Sequence, residues 1–147
     1  MTDFRILTDD ISVSPQIGKS DIDMAATMGV TMIINNRPDG EEAGQPTNDE
    51  LMAYAAEKGI KWAHIPIIGG SLSLDDVKAM GHCLADADGR VLAYCRSGTR
   101  SCTVWSLAEA MGGDMPVEEI IATGAGAGYD LTHMAPTLAG LRANPPQ

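Results

Sequence analysis

The 147-residue chain is 44% hydrophobic and 20% charged, the balance of a soluble globular protein and enough for one domain spanning 1–147 with its own core. Twenty acidic residues against 10 basic ones give a net charge of −10, which argues against nucleic acid and anionic membranes as partners, since both need clustered Lys and Arg. Three cysteines make no disulfide framework, and the N-terminus MTDFRILTDD has no signal-like apolar core. With no run of membrane-span length, a reduced, cytoplasmic protein is expected.

In chain order, FRIL (4–7) and ISVS (11–14) read as a hairpin or two short strands. A helix follows over about 20–28, capped by Ser20 and closed by Gly29. VTMIINN (30–36) reads as a buried strand that runs into the polar loop NNRPDGEE. Thr47 and Glu50 form a capping box for a helix over about 48–58, stopped by Gly59. KWAHIPI (61–67) is the next strand and IGGS (68–71) a loop; Ser73 then caps a helix reaching about Ala87. RVLAY precedes a last strand-to-helix junction, followed by helices at TVWSLAEAMGG, from Pro116 through Ile121, and over about 136–142. Alternating strands and helices with short connections predict an α/β fold, a mainly parallel sheet of four to five strands flanked by helices on both faces. Ligands in such sheets bind beyond the carboxyl ends of the strands, where loops 35–42, 68–73 and 95–101 should meet.

The segment YCRSGTRSC (94–102) carries the chemistry. Cys95 ends a strand and a helix starts within a few residues. The amides of the RSGTR segment and the helix N-terminus therefore make a cradle for an anion. Gly98 permits the tight turn, and Arg100 offers a planar fork for an oxyanion. A cysteine in that field is expected to be largely thiolate at neutral pH, and Ser97, Thr99 or Ser101 would donate to the sulfur. The site prediction is therefore Cys95, Arg100 and Ser101 as catalytic residues, with Arg96, Ser97, Gly98, Thr99 and Arg37 contacting substrate. Arg37 has an equal alternative, an ion pair with Glu41 or Glu42. Cys102 is read as core more readily than as a resolving thiol. TGAGAGYD (123–130) mimics a dinucleotide fingerprint but follows a helix, so it reads as a tight connector. The three histidines lack metal-ligand spacing, and no cofactor or metal is called for.

C-R-S-G-T-R-S (95–101) resembles the active-site loop of single-domain rhodaneses, which carry sulfur as a cysteine persulfide. It also resembles the cysteine-plus-arginine signature of protein tyrosine and dual-specificity phosphatases, with one residue fewer between Cys95 and Arg100 and with Tyr94 in place of a histidine. The stretches SVSPQIGKSDIDMAATMGVTMIINNRPDGEE and AHIPIIGG resemble the beta-lactamase-hydrolase-like, phosphatase-like domain family over nearly the whole chain. The resemblance implies a protein tyrosine phosphatase-like fold carrying a rhodanese-like loop. Members are described both as phosphatases and as sulfur transferases, so it does not select the reaction.

A phosphatase needs a general acid for the leaving oxygen. Dual-specificity phosphatases keep an aspartate in the loop after the strand equivalent to 61–67, where this chain has Gly69 and Gly70. Asp39 is the candidate substitute, with Glu41 and Glu42 beside it. Sulfur transfer requires no such acid. The sequence thus favours a rhodanese-like sulfurtransferase with a persulfide on Cys95, taking sulfur from a sulfane donor such as thiosulfate. Phosphomonoester hydrolysis through a Cys95 phosphoenzyme is the alternative, and either way the ligand is a small sulfur- or phosphate-containing anion.

Overall fold

The computed structural model describes residues 2–68 and 72–146. Five strands, β1 (Arg5–Ile6), β2 (Ile11–Ser14), β3 (Val30–Asn35), β4 (Lys61–His64) and β5 (Arg90–Tyr94), form one sheet in the order β1-β2-β5-β3-β4. The first two pair antiparallel, as the hairpin reading expects, and every other neighbour is parallel. Alternation along β5 divides the core. Val91 and Ala93 face one cluster with Ile11, Val13 and Ile34, while Leu92 and Tyr94 face another with Val30 and Ile33.

The helices cover these two faces. α1 (Lys19–Thr27) and α2 (Asn48–Glu57) bury Ile22, Ala25, Leu51 and Ala55 on the Leu92 side. On the other side lie α3 (Leu74–Asp86), α4 (Thr99–Gly112), α5 (Val117–Gly126) and α6 (Ala135–Ala143), with Met80, Trp105, Ile120 and Leu138 at their centre. A short 3-10 turn, Thr132–Met134, leads into α6.

Local chemistry explains where the elements differ from expectation. The N-cap of α1 is Gly18 rather than Ser20, and Gly18 donates its N–H to Asp21 Oδ2 at 2.8 Å. Thr47 Oγ1 accepts the Glu50 N–H, one half of the expected box, whereas Ser73 and Asp76 form both halves. β4 ends at His64 rather than 67 because Pro66 has no N–H to give. The alternate amides of Ile65 and Ile67 still reach Asn35 O and Asn36 O at 2.9 and 3.0 Å.

The strand order has one consequence for function. β5 sits between β2 and β3, and the crossovers β2–α1–β3 and β4–α3–β5 lie on opposite faces. The carboxyl end of β5 is therefore the switch point at which α/β sheets open a crevice. Cys95 is the next residue.

Candidate active site

Three strand ends hold the loop after β5. Cys95 N–H donates to Ser14 O at 3.3 Å and Asn36 N–H to Tyr94 O at 2.8 Å. Gln16, in the β2–α1 connection, donates its N–H to Arg96 O at 3.2 Å. The chain then turns through Gly98, whose φ of 92° lies in the left-handed region, and enters α4 at Thr99. A Cβ at Gly98 would collide with the Tyr129 hydroxyl, which itself donates to Ser97 O at 2.9 Å. Glycine is thus required here by both the backbone angle and the space above it.

Cys95 is fully buried, and its sulfur accepts the Gly98 N–H at 3.1 Å. Of the loop amides, that of Gly98 points at the sulfur itself. Arg100, in the first turn of α4, donates through Nη1 to Glu41 Oε2 and to Ile67 O, both at 2.7 Å, and through Nη2 to Glu41 Oε1 at 2.8 Å. Its pKa is raised first by Glu41 and also by Cys95. Loops 35–42 and 95–101 therefore meet as expected. Of the third loop, residues 69–71 lie outside the described residues, and with them the Gly69 and Gly70 positions; its stem contributes Ile67 O.

Glu41 and Arg37 complete a network of charges. Arg37 is 2% exposed and uses three edges, Nε to Glu41 Oε1 at 2.9 Å, Nη2 to Glu42 Oε1 at 2.8 Å and Nη1 to Gln16 Oε1 at 2.9 Å. Of its two predicted roles, this geometry is the ion pair. A buried guanidinium needs every partner it has, because stripping one away leaves charge uncompensated. Glu41 is held down to about 2, first by Arg100 and then by Arg37, against the opposing effect of burial. Arg96 is exposed and lies 3.8 Å from Glu42, the looser edge of the network.

Residues 3–112 match the family described as "Beta-lactamase hydrolase-like protein, phosphatase-like domain". The chain belongs to that family. It is 36% identical over 125 residues to a beta-lactamase hydrolase-like protein of Xylella fastidiosa (strain Temecula1), covering 85% of this chain but only 29% of that longer relative. Among solved structures, a "putative phosphatase" from Neisseria meningitidis superposes with a TM-score of 0.82 at 34% identity, covering 97% of this chain and 99% of that one. Tk-PTP in its active form matches with a TM-score of 0.70 at 16% identity, covering 97% of each chain. The fold is that of the protein tyrosine phosphatases, as the loop resemblance implies.

Several predicted residues take up other partners in this phosphatase-like domain. Ser101 Oγ donates to Asn36 Oδ1 at 2.8 Å, and Ser97 Oγ donates to Thr99 Oγ1 at 3.0 Å, so these hydroxyls tie the loop together rather than point at the sulfur. Asp39 Oδ1 accepts the Asn48 N–H at 2.8 Å, and Asn48 Oδ1 accepts from Asn35 and Trp62. This candidate acid is thereby engaged at the start of α2. Cys102 lies in the core beneath the loop; burial, with Cys95 adding to it, pushes its thiol up to about 12. Its place in the core fits the packing role expected of it.

Sequence reading passed over Gln16, Asn36, Glu41 as an Arg100 partner, and Tyr129. Gln16 and Asn36 had a usable signal, since each follows a strand that ends at the same sheet edge. Tyr129 had none, because it arrives from the connector after α5. Residues 123–126 of the expected connector instead form the last turn of α5, though the close helix packing expected there is present, as a side chain at Gly124 would strike Leu131.

Proposed function

We infer that this domain hydrolyses phosphomonoesters through a phosphoryl group carried on Cys95. The observation that supports it best is the placement of Cys95 just after the central strand with Arg100 in the first turn of α4, on a fold shared at 34% identity with a neisserial protein described as a "putative phosphatase". In the first step the Cys95 sulfur attacks phosphorus and the bond to the leaving oxygen breaks. Arg100 and the loop amides hold the phosphoryl oxygens. Water then attacks phosphorus, the S–P bond breaks, and phosphate leaves with the thiolate restored.

Protonation of the leaving oxygen limits the substrate class. Glu41, held near 2, carries no proton at neutral pH, and Asp39 is engaged at α2. The leaving oxygen then departs as an anion and takes its proton from water. A positioned acid is worth about 10²–10⁴-fold, so rates should depend steeply on leaving-group acidity and favour aryl over alkyl phosphates.

A specific observation keeps sulfur transfer as a second reading: the Gly98 N–H is spent on the sulfur itself, inside a ring with only four residues between Cys95 and Arg100. That ring suits one persulfide sulfur. Incubating the protein with para-nitrophenyl phosphate in one arm and thiosulfate in the other separates the two. Cys95-dependent nitrophenol release with no sulfur added to the protein is the expected result. Sulfur loading on the Cys95 peptide, cyanide-dependent thiocyanate release and no nitrophenol would replace hydrolysis with sulfur transfer.

A further inference from the structure

The loop after β5 has two of its carbonyls held from outside. The Gln16 N–H donates to Arg96 O at 3.2 Å, and the Tyr129 hydroxyl donates to Ser97 O at 2.9 Å. The second contact governs a single peptide plane. No peptide bond among the described residues is cis, so the carbonyl of Ser97 and the N–H of Gly98 point in opposite directions. With the oxygen drawn out to Tyr129, the N–H is turned in, and it meets the Cys95 sulfur at 3.1 Å.

The backbone by itself does not hold that plane. Rotating the 97–98 peptide changes ψ of Ser97 and φ of Gly98, and glycine accepts φ of either sign. A rotated plane would aim the Ser97 carbonyl, the negative end of a dipole, at the sulfur and at any anion beside it. What opposes the rotation is a side chain that enters after α5. Tyr129 is buried, its own N–H donates to Gly124 O at 2.9 Å, and the Arg5 guanidinium of β1 lies 5.0 Å over its ring. Its hydroxyl stands directly over Gly98, where a Cβ would collide with it.

We propose that Tyr129 is a positioning residue for the nucleophile: by holding Ser97 O outward it keeps the Gly98 N–H on the Cys95 sulfur and keeps a carbonyl out of the anion site. This rests on the reading above only in taking Cys95 as the nucleophile, and it holds for phosphoryl and sulfur transfer alike. Tyr129 acts through the peptide, not on the sulfur. A hydrogen bond to sulfur is stronger when the sulfur is charged, so its loss disfavours the thiolate relative to the thiol. A role limited to packing leaves that balance alone.

The test compares wild type, Tyr129→Phe and Tyr54→Phe. Phenylalanine keeps the ring in place and removes only the hydroxyl. Tyr54, whose hydroxyl donates to Asp23 Oδ1 at 2.7 Å, controls for the loss of such a bond between α1 and α2. Alkylation by iodoacetamide, a neutral reagent that reacts with the thiolate, is followed by mass on the Cys95 peptide from about pH 4 to about pH 9. Over that range Arg100 and its partner Glu41, held at about 2, stay charged. Cys102, pushed up to about 12, stays protonated, as does Tyr129, which burial raises above its ordinary 10. The midpoint for Tyr129→Phe should lie about one pH unit above that of wild type, a tenfold loss of thiolate below both midpoints. In that same range its kcat/KM for an aryl phosphate should fall about tenfold or more, while Tyr54→Phe matches wild type in both measurements. An unchanged midpoint in Tyr129→Phe overturns the proposal whatever happens to turnover, and so does an equal shift in Tyr54→Phe. Sulfur loading from thiosulfate without aryl phosphate hydrolysis would remove the hydrolysis reading; the alkylation comparison needs no substrate and still decides the role of Tyr129.

Discussion

At the scale of single residues, Glu41 shows how little the local sequence says about partnership. RPDGEE offers three carboxylates within four positions, each with an equal claim as a solvated turn residue. The register of β3 on β5, with Asn35 opposite Tyr94, carries Glu41 to the arginine two helix positions past Gly98. The same pairing makes a prediction about acid. Because its folded pKa is about 2 against an ordinary 4.5, Glu41 contributes stability that is fully present above about pH 4.5 and is lost as pH falls through about 2. The unfolding temperature of wild type should therefore fall more steeply between pH 5 and pH 2 than that of Glu41→Gln. Parallel curves for the two proteins would mean that the ion pairs with Arg100 and Arg37 do not form in solution.

At the scale of elements, the strand–loop–helix unit around Cys95 was the most legible part of the chain. A buried apolar strand, a glycine and the onset of a helix are all local patterns, and they place Cys95, Gly98 and Arg100 correctly. The lid over that unit was not legible. Tyr129 lies 32 residues beyond Ser97, and only the packing of α5 and α6 against α4 brings it back. The contact predicts an interaction between two mutations. Gly98→Ala forces a side chain into the left-handed region, costing about 1–2 kcal/mol, with the collision against the Tyr129 hydroxyl added. Tyr129→Phe alone should cost about 1 kcal/mol for the hydrogen bond to Ser97 O. Combined, they should cost less than the sum, because removing the hydroxyl relieves the collision; urea unfolding of the four proteins measures the difference. Strict additivity would place Tyr129 away from the loop.

For the molecule as a whole, the alternation of strands and helices was enough to predict the parallel sheet and the edge where loops converge. Strand order was not, since nothing local states that β5 inserts between β2 and β3. Reaction type was the weakest inference from sequence. Counting four residues between Cys95 and Arg100 favoured sulfur, whereas the shared fold and the neisserial relative favour phosphate. Charge adds a constraint at this scale. Around the loop Arg37, Arg96 and Arg100 are offset by Asp39, Glu41 and Glu42, so the net −10 of the chain dominates the field met by an approaching anion. Raising ionic strength from low to physiological should therefore increase kcat/KM for an aryl phosphate, by about twofold, as repulsion beyond ~8 Å is screened. A decrease would show that the arginines at the loop set the approach.

The most direct test of the nucleophile is to trap it. Wild type mixed with an aryl phosphate, quenched in acid within the first turnover and digested, should yield a Cys95 peptide carrying one phosphoryl group, and Cys95→Ser should yield neither that adduct nor turnover. Hydrolysis that persists in Cys95→Ser, or a Cys95 peptide that accepts sulfur from thiosulfate and never phosphate, would contradict the account.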